Sequence, residues 1–219
     1  MKQGKENIPP EKFTGYYNVL DACGQKGCPV CILSRQGVRR YVDNLLYENV
    51  NDPATRKMLR SSLGFCFVHS QLLLQAGDAL GVSILYADII HEVESALSRQ
   101  SLRAFQTTQT CPVCLFKLAH EKQSTATIAE HISRQEMQEA LNKSSGLCLV
   151  HLAAVAEHLH DKETHRWIRA LHAEKLETVQ RQIHEFIRKH ELQFSHEEIT
   201  NDERESCIVA IDTLVGMNV

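Results

Sequence analysis

Two short motifs each occur twice in this chain. CPVCILSR at residues 28–35 returns as CPVCLFKL at residues 111–118, and LGFCFVH at residues 63–69 returns as SGLCLVH at residues 145–151. The order is the same both times, with an offset of 83 positions for the cysteines of the first motif and 82 for the second. Six cysteines and two histidines do not fall into register by chance, so the sequence predicts an internal duplication.

The duplication predicts the domain organisation. Residues 1–15 are polar and contain Pro9-Pro10, which is typical of a flexible tail. We expect a first helical metal-binding repeat at 16–105, a second at 106–190 and a C-terminal helical extension at 191–219.

Several helix boundaries are visible in the sequence. Asp52-Pro53 is a typical helix start, with a stop near Gly64. A long stretch from about 163 to 190 lacks Gly and Pro, and Thr200-Asn201-Asp202 can cap a last helix that Gly216 ends. No segment alternates convincingly as a strand. The predicted fold class is all-α, a helical bundle of two duplicated units, each with a three-cysteine, one-histidine metal site.

The composition excludes several classes of function. A net charge of -3 over 219 residues gives no general reason to bind nucleic acid or anionic membrane. The N-terminus has Lys residues but no apolar signal region, and no apolar run is long enough to span a membrane. We therefore expect a cytoplasmic protein. Because thiols stay reduced there, eight cysteines favour metal ligation or redox chemistry over a disulfide framework.

The two motifs together supply a complete ligand set for zinc. Proline in CPVC suits the first turn of a helix, where unpaired N–H groups and the helix dipole favour thiolates. The cysteine and histidine of CxxH are three apart and share one helix face. Three thiolates and one imidazole match closed structural zinc sites, and two ions are expected. Pairing within each repeat predicts one site at Cys28, Cys31, Cys66 and His69, and another at Cys111, Cys114, Cys148 and His151.

The sequence leaves alternatives open. One CPVC can instead combine with the CxxH of the other repeat. An iron–sulfur cluster on the same ligands would make a redox protein or sensor, and CPVC thiols alone would suit a thiol–disulfide oxidoreductase. Buried free cysteines with a core histidine are the simplest alternative. Cys23 and Cys207 have no counterpart in the duplication and are expected to be unliganded.

Histidines at 151, 158, 165 and 172 recur every seven residues, close to one helical stripe unless Asp161 interrupts the helix. Glu157 and His160 have the ExxH spacing of carboxylate-bridged sites, although a solvated face explains them more simply. We find no catalytic residue set. The expected function is a non-enzymatic interaction or regulatory module that binds a protein partner, without nucleic acid or membrane.

The duplicated CPVC and GxCxxH elements, the GVSILYADII segment at 81–90, and FIRKH at 186–190 followed by LVG at 214–216 resemble an uncharacterised bacterial family. The resemblance implies the same cysteine and histidine positions. As a domain of unknown function, the family implies no reaction and no substrate.

Overall fold

A computed structural model describes residues 10–98 and 110–217, which form ten α-helices with no strand among them. The all-α prediction is confirmed. The helices are α1 (Pro10–Cys23), α2 (Pro29–Glu48), α3 (Pro53–Ser62), α4 (Phe67–Gln75), α5 (Ala79–Ser98), α6 (Pro112–His131), α7 (Gln135–Lys143), α8 (Leu149–Ala156), α9 (Lys162–Lys189) and α10 (Asn201–Val215). A single 3₁₀ turn at Leu192–Phe194 separates α9 from α10.

Capping chemistry sets the helix starts where the sequence indicated them. Asp52 accepts a hydrogen bond from the Thr55 N–H at 2.7 Å, and Pro53 opens α3. Asp161 accepts from the Thr164 N–H, so the histidine stripe is interrupted between α8 and α9. Helix α1 was not foreseen: residues 10–15 of the expected tail belong to it, whereas residues 1–9 lie outside the described residues.

The chain divides into two compact units. The first comprises residues 1–33 and 121–219, and the second comprises residues 34–120. These bounds differ from those of the sequence repeats, whose boundary at 105/106 lies outside the described residues. Each unit therefore contains a CPVC from one repeat and a CxxH from the other.

The first unit has an apolar core that surrounds sulfur atoms. Its fully buried side chains come from α1, α2, α6, α7, α8 and α9, and include Val19, Ile32, Ile128, Met137, Leu141, Val155 and Ile168. Cys28, Cys31 and Cys148 belong to the same cluster. Burying this apolar surface is the main favourable term in folding and keeps water away from the thiols.

In the second unit, α3 and α4 pack against α5. Val38, Leu45, Leu59, Leu73 and Leu85 are buried there. Arg56 and Arg60 donate hydrogen bonds to the Asp88 carboxylate of α5, with nitrogen–oxygen distances of 2.5 to 3.0 Å. No helix of the described residues is both long and apolar enough to cross a membrane.

Helix α10 packs on α9 through a largely buried ion pair. Lys189 Nζ lies 2.7 and 2.9 Å from the two carboxylate oxygens of Glu203, and both side chains are 11% exposed. The Glu203 carboxylate also accepts from the Thr200 N–H, while the Thr200 hydroxyl accepts from the Glu203 N–H, forming a capping box. Lys189, together with the Thr200 N–H, lowers the pKa of Glu203.

We predict that Glu203→Gln destabilises the first unit in a pH-dependent way. A lowered carboxyl pKa contributes stability above the unfolded value, about 4.3, and the contribution disappears as pH falls through the folded pKa. The loss of melting temperature should therefore be full at pH 7 and should shrink below about pH 4. Glu198→Gln, at an exposed neighbouring carboxylate, is the matched control. An equal loss at pH 3 and pH 7 would contradict the ion-pair explanation.

Candidate metal centres

Both copies of each motif adopt the same local backbone. Cys28 and Cys111 precede Pro29 and Pro112, which open α2 and α6. Each cysteine carbonyl accepts the first hydrogen bond of its helix, from the Ile32 and Leu115 N–H groups, at 3.0 and 3.1 Å. The second cysteine of each CPVC therefore lies in the first helical turn, on the same side as the first.

The CxxH copies match as closely. Cys66 and Cys148 are the N-caps of α4 and α8, with φ of -67° in both. Gly64 and Gly146, two residues earlier, both have φ of +87°, a left-handed conformation that favours glycine. The glycine of GxCxxH thus turns the chain so that the cysteine can begin a helix.

Two groups of four ligands form in the described residues, and each takes its motifs from both repeats. Cys28 and Cys31 of α2 join Cys148 and His151 of α8, here called the α2–α8 site. Cys66 and His69 of α4 join Cys111 and Cys114 of α6, here called the α4–α6 site.

The pairing predicted within each repeat is therefore wrong. Neither predicted quartet appears among the groups of the described residues, because each CPVC groups with the CxxH of the other repeat. The same eight residues form two groups of three cysteines and one histidine, but the first CPVC lies with the second CxxH. Tertiary packing in each unit decides this, because both motifs are identical in chemistry.

The spacing of ligand atoms fits a single ion in each site. In the α2–α8 site, His151 Nδ1 lies 3.5, 3.4 and 3.2 Å from the sulfurs of Cys28, Cys31 and Cys148. In the α4–α6 site, His69 Nδ1 lies 3.2, 3.6 and 3.3 Å from those of Cys66, Cys111 and Cys114.

The sulfur–sulfur distances agree with the same geometry. They are 3.9 Å between Cys31 and Cys148 and 3.7 Å between Cys66 and Cys114. A tetrahedral ion with sulfur at about 2.3 Å and nitrogen at about 2.0 Å requires edges of about 3.8 Å between sulfurs and about 3.5 Å from sulfur to nitrogen. Both groups therefore have the size of one zinc-like coordination sphere.

The four ligands of the α2–α8 site shift one another's pKa values strongly. Hydrogen bonds involving Cys28 and Cys31 lower the pKa of Cys148, whereas the hydrogen bond with Cys148 raises the pKa of Cys28 to about 11 and also raises that of Cys31. Although burial opposes it, hydrogen bonds with Cys148, Cys31 and Glu121 raise the pKa of His151 to about 11. Without a metal the group thus holds about one thiolate beside one imidazolium. A divalent cation in place of the imidazolium proton would stabilise the second and third thiolates.

The α4–α6 site is less enclosed, and the pKa of its histidine shifts in the opposite direction to that of His151. Burial, followed by the hydrogen bond with Cys66, raises the pKa of Cys114 to about 12. Although burial opposes it, hydrogen bonds from the backbone N–H of His69 and from neighbouring thiols lower the pKa of Cys66. Burial lowers the pKa of His69, which favours the neutral imidazole that metals bind.

Residues beyond the ligands support the α2–α8 site. The Met217 N–H donates to Cys31 Sγ at 3.4 Å, just after α10 ends. Gly216 has φ of +85°, and a Cβ there would lie 3.4 and 3.5 Å from the sulfurs of Cys31 and Cys148. Glu121 Oε1 lies 3.7 Å from His151 Nε2, the ring nitrogen that faces away from the sulfurs. Partners of this kind orient metal ligands.

A buried histidine holds the loop before Cys148. His172 Nε2 accepts from the Leu147 N–H at 2.9 Å, while its Nδ1 donates to the Ile168 carbonyl at 2.8 Å. Burial lowers the pKa of His172, which keeps the ring neutral and able to accept. The seven-residue spacing pointed to His172, but its role here is to position the loop.

The remaining sequence candidates lie outside both groups. Cys23 is buried in the apolar core and Cys207 is exposed on α10, and neither belongs to either group of four. Glu157 and His160 are exposed and join no candidate group among residues 10–98 and 110–217. The roles of Gly216, Met217 and Glu121 had no sequence signal beyond the helix stop at Gly216.

Fold and ligand groups together define an all-helical protein with two candidate metal centres. Residues 17–108 match a family of unknown function, DUF6062, so the resemblance to an uncharacterised family is confirmed over that part of the chain. The chain is also 23% identical over 195 residues to an uncharacterized 23.9 kDa protein in the xynA 3'region of Caldicellulosiruptor sp. (strain Rt8B.4), covering 86% of this chain and 95% of that protein. No solved structure matches significantly. None of these similarities supplies an activity.

Paired substitutions distinguish crossed from within-repeat pairing. We predict that Cys31→Ser with Cys148→Ser removes one ion per chain, because both residues belong to the α2–α8 site. Cys31→Ser with Cys66→Ser should remove both ions. Pairing within repeats requires the opposite result for each double variant. Elemental analysis of zinc-loaded protein measures the outcome, and Cys207→Ser, which should keep both ions, is the control.

We predict that Met217→Pro weakens metal binding at the α2–α8 site. Proline lacks the N–H that donates to Cys31 Sγ. Loss of such an outer contact typically lowers metal affinity about 10-fold or more. Competition with a chelator, in a Cys66→Ser background that retains only this site, measures the change. Met217→Ala removes the side chain but keeps the N–H, so equal affinities for the two variants would contradict the proposed role.

Proposed function

We propose that this protein is a non-enzymatic helical module in which two structural zinc ions fasten CPVC of one repeat to CxxH of the other. The observation that carries the proposal is the size of the two groups, whose four ligand atoms all lie within 4.8 Å of one another. Three thiolates and one imidazole in a tetrahedron form a closed set with no open position for a substrate. Each ion would join segments that are distant in the chain.

The ligand spacing favours a single ion over an iron–sulfur cluster. The four ligands of a cluster are spread over two or more iron atoms, so some of them must stand further apart than ligands of one ion. In both groups all four ligand atoms lie within 4.8 Å of one another, with several pairs at 3.2 to 3.9 Å, which fits one metal. The second candidate is an iron–sulfur redox or sensor protein. It is supported only by the ligand types, because cysteine and histidine bind such clusters as well as zinc.

Burial argues against thiol–disulfide exchange at the first CPVC. Cys28 and Cys31 are each only 5% exposed, and the Cys31 sulfur contacts Cys148 Sγ and His151 Nδ1. An exchange enzyme needs an accessible attacking thiolate, because the reaction passes through a mixed disulfide with its substrate. The CPVC cysteines are better explained as ligands than as a catalytic pair.

We further propose that the module acts in the cytoplasm and binds a protein partner. The absence of disulfides among all eight cysteines, which lie in the described ranges, suits a reducing compartment. Large apolar side chains close to the ligands of the α4–α6 site are exposed, among them Phe67, Leu115 and Leu118. Apolar side chains of this kind favour a protein partner over nucleic acid.

Metal content tests the proposal directly. We predict about two zinc ions per chain and no visible absorption in protein purified without oxygen and without added metal. Iron with acid-labile sulfide and a broad band near about 400 nm would overturn it in favour of a cluster. Removal of zinc by a chelator should also lower the melting temperature, because structural zinc contributes folding energy.

A further inference from the structure

The two ligand groups have the same chemistry but different access to solvent. All four ligands of the α2–α8 site are buried. In the α4–α6 site, Cys111 and His69 are buried, whereas Cys66 and Cys114 are both half-buried. The two accessible thiols belong to the same site and lie next to each other, with their sulfurs 3.7 Å apart.

Contacts from residues outside the motifs also cover the α2–α8 site more than the α4–α6 site. The α2–α8 site is closed by Gly216 and by the Met217 N–H, which come from the C-terminal end of α10. Among the described residues, no N–H from outside the two motifs donates to a sulfur of the α4–α6 site, and His69 Nε2 is buried without a hydrogen-bond partner. Residues at the end of α10 therefore cover the sulfurs of the α2–α8 site, and no described residue outside the two motifs does the same for the α4–α6 site.

We propose that Cys66 and Cys114 form a hydroperoxide-reactive pair, whose oxidation to a disulfide releases the ion from the α4–α6 site and leaves the α2–α8 site intact. The inference rests on the proposed metal binding and adds a modification site to it. Cys66 is the N-cap of α4 and Cys114 lies in the first turn of α6, so the two helix starts bring the half-buried sulfurs side by side. As metal ligands, both would be thiolates, the form that attacks peroxides.

The chemistry balances with a hydroperoxide as the oxidant. The Cys66 thiolate attacks the terminal peroxide oxygen, the O–O bond breaks, and a sulfenic acid forms while the departing oxygen takes up a proton. The Cys114 sulfur then attacks the Cys66 sulfur, the S–S bond forms, and the hydroxide leaves as water after a second proton is taken up. Two electrons pass from the two sulfurs to the peroxide. Cys111 and His69 alone then hold the ion weakly.

Hydrogen peroxide on the zinc-loaded full chain tests this step. A Cys207→Ser background removes the exposed thiol of α10, which would react independently. A colorimetric chelator reports released zinc, and mass spectrometry after alkylation locates the oxidised cysteines. We expect one zinc per chain to leave about 10-fold or more faster than the other, since the shell around a metal site controls solvent access. The disulfide should link Cys66 to Cys114.

Single-site variants assign the two phases. Cys148→Ser, which disrupts the α2–α8 site, should keep the fast phase, and Cys66→Ser should leave only the slow one. Release of both ions at one rate, faster loss from the α2–α8 site, or a disulfide joining Cys28 to Cys148 would overturn the inference while leaving two structural metal sites in place. Protein that holds fewer than two ions before peroxide is added overturns the proposed metal function itself, and this inference with it.

Discussion

Convergence of three thiols and one imidazole within a few ångströms is the constraint on which the rest of this structure depends. Without a metal, the pKa values of Cys28 and Cys31 in the α2–α8 site are raised, and the raised pKa of His151 lets an imidazolium balance the Cys148 thiolate. Three buried thiolates need more positive charge than one imidazolium carries, which a divalent cation would provide. In the first unit the three sulfurs belong to the apolar core cluster.

Crossed ligation makes each metal site depend on both repeats. Each repeat contributes CPVC to one centre and CxxH to the other, so neither centre can form from one repeat alone. Cys31 and Cys148 are 117 positions apart and Cys66 and Cys114 are 48 apart, so each ion would close a long loop. Metal binding and folding are therefore expected to be strongly coupled in this protein.

Asymmetry between the centres arises from the part of the chain that is not duplicated. Helix α10 packs on α9 and α8, and its C-terminal end brings Gly216 and Met217 to the sulfurs of the α2–α8 site. No described segment does the same for the α4–α6 site. A duplicated ligand set thus acquires two different environments, one with four buried ligands and one with two half-buried thiols. Burial together with outer hydrogen bonds governs how readily a metal site exchanges or reacts.

The sequence by itself determined the helical class, several boundaries set by capping residues such as Asp52 and Thr200, and the eight residues that form the ligand groups. These features depend on local chemistry, namely side-chain capping, the glycine before each CxxH and the spacing of ligands on one helix face. Only the tertiary structure decided which motifs meet. Residues 31 and 66 are 35 positions apart, and extending that loop to 117 positions costs only about 1 kcal/mol in closure entropy. The motifs are alike and the two pairings differ little in closure entropy, so core packing and helix α10 decide which CPVC meets which CxxH. No local sequence pattern encodes that packing.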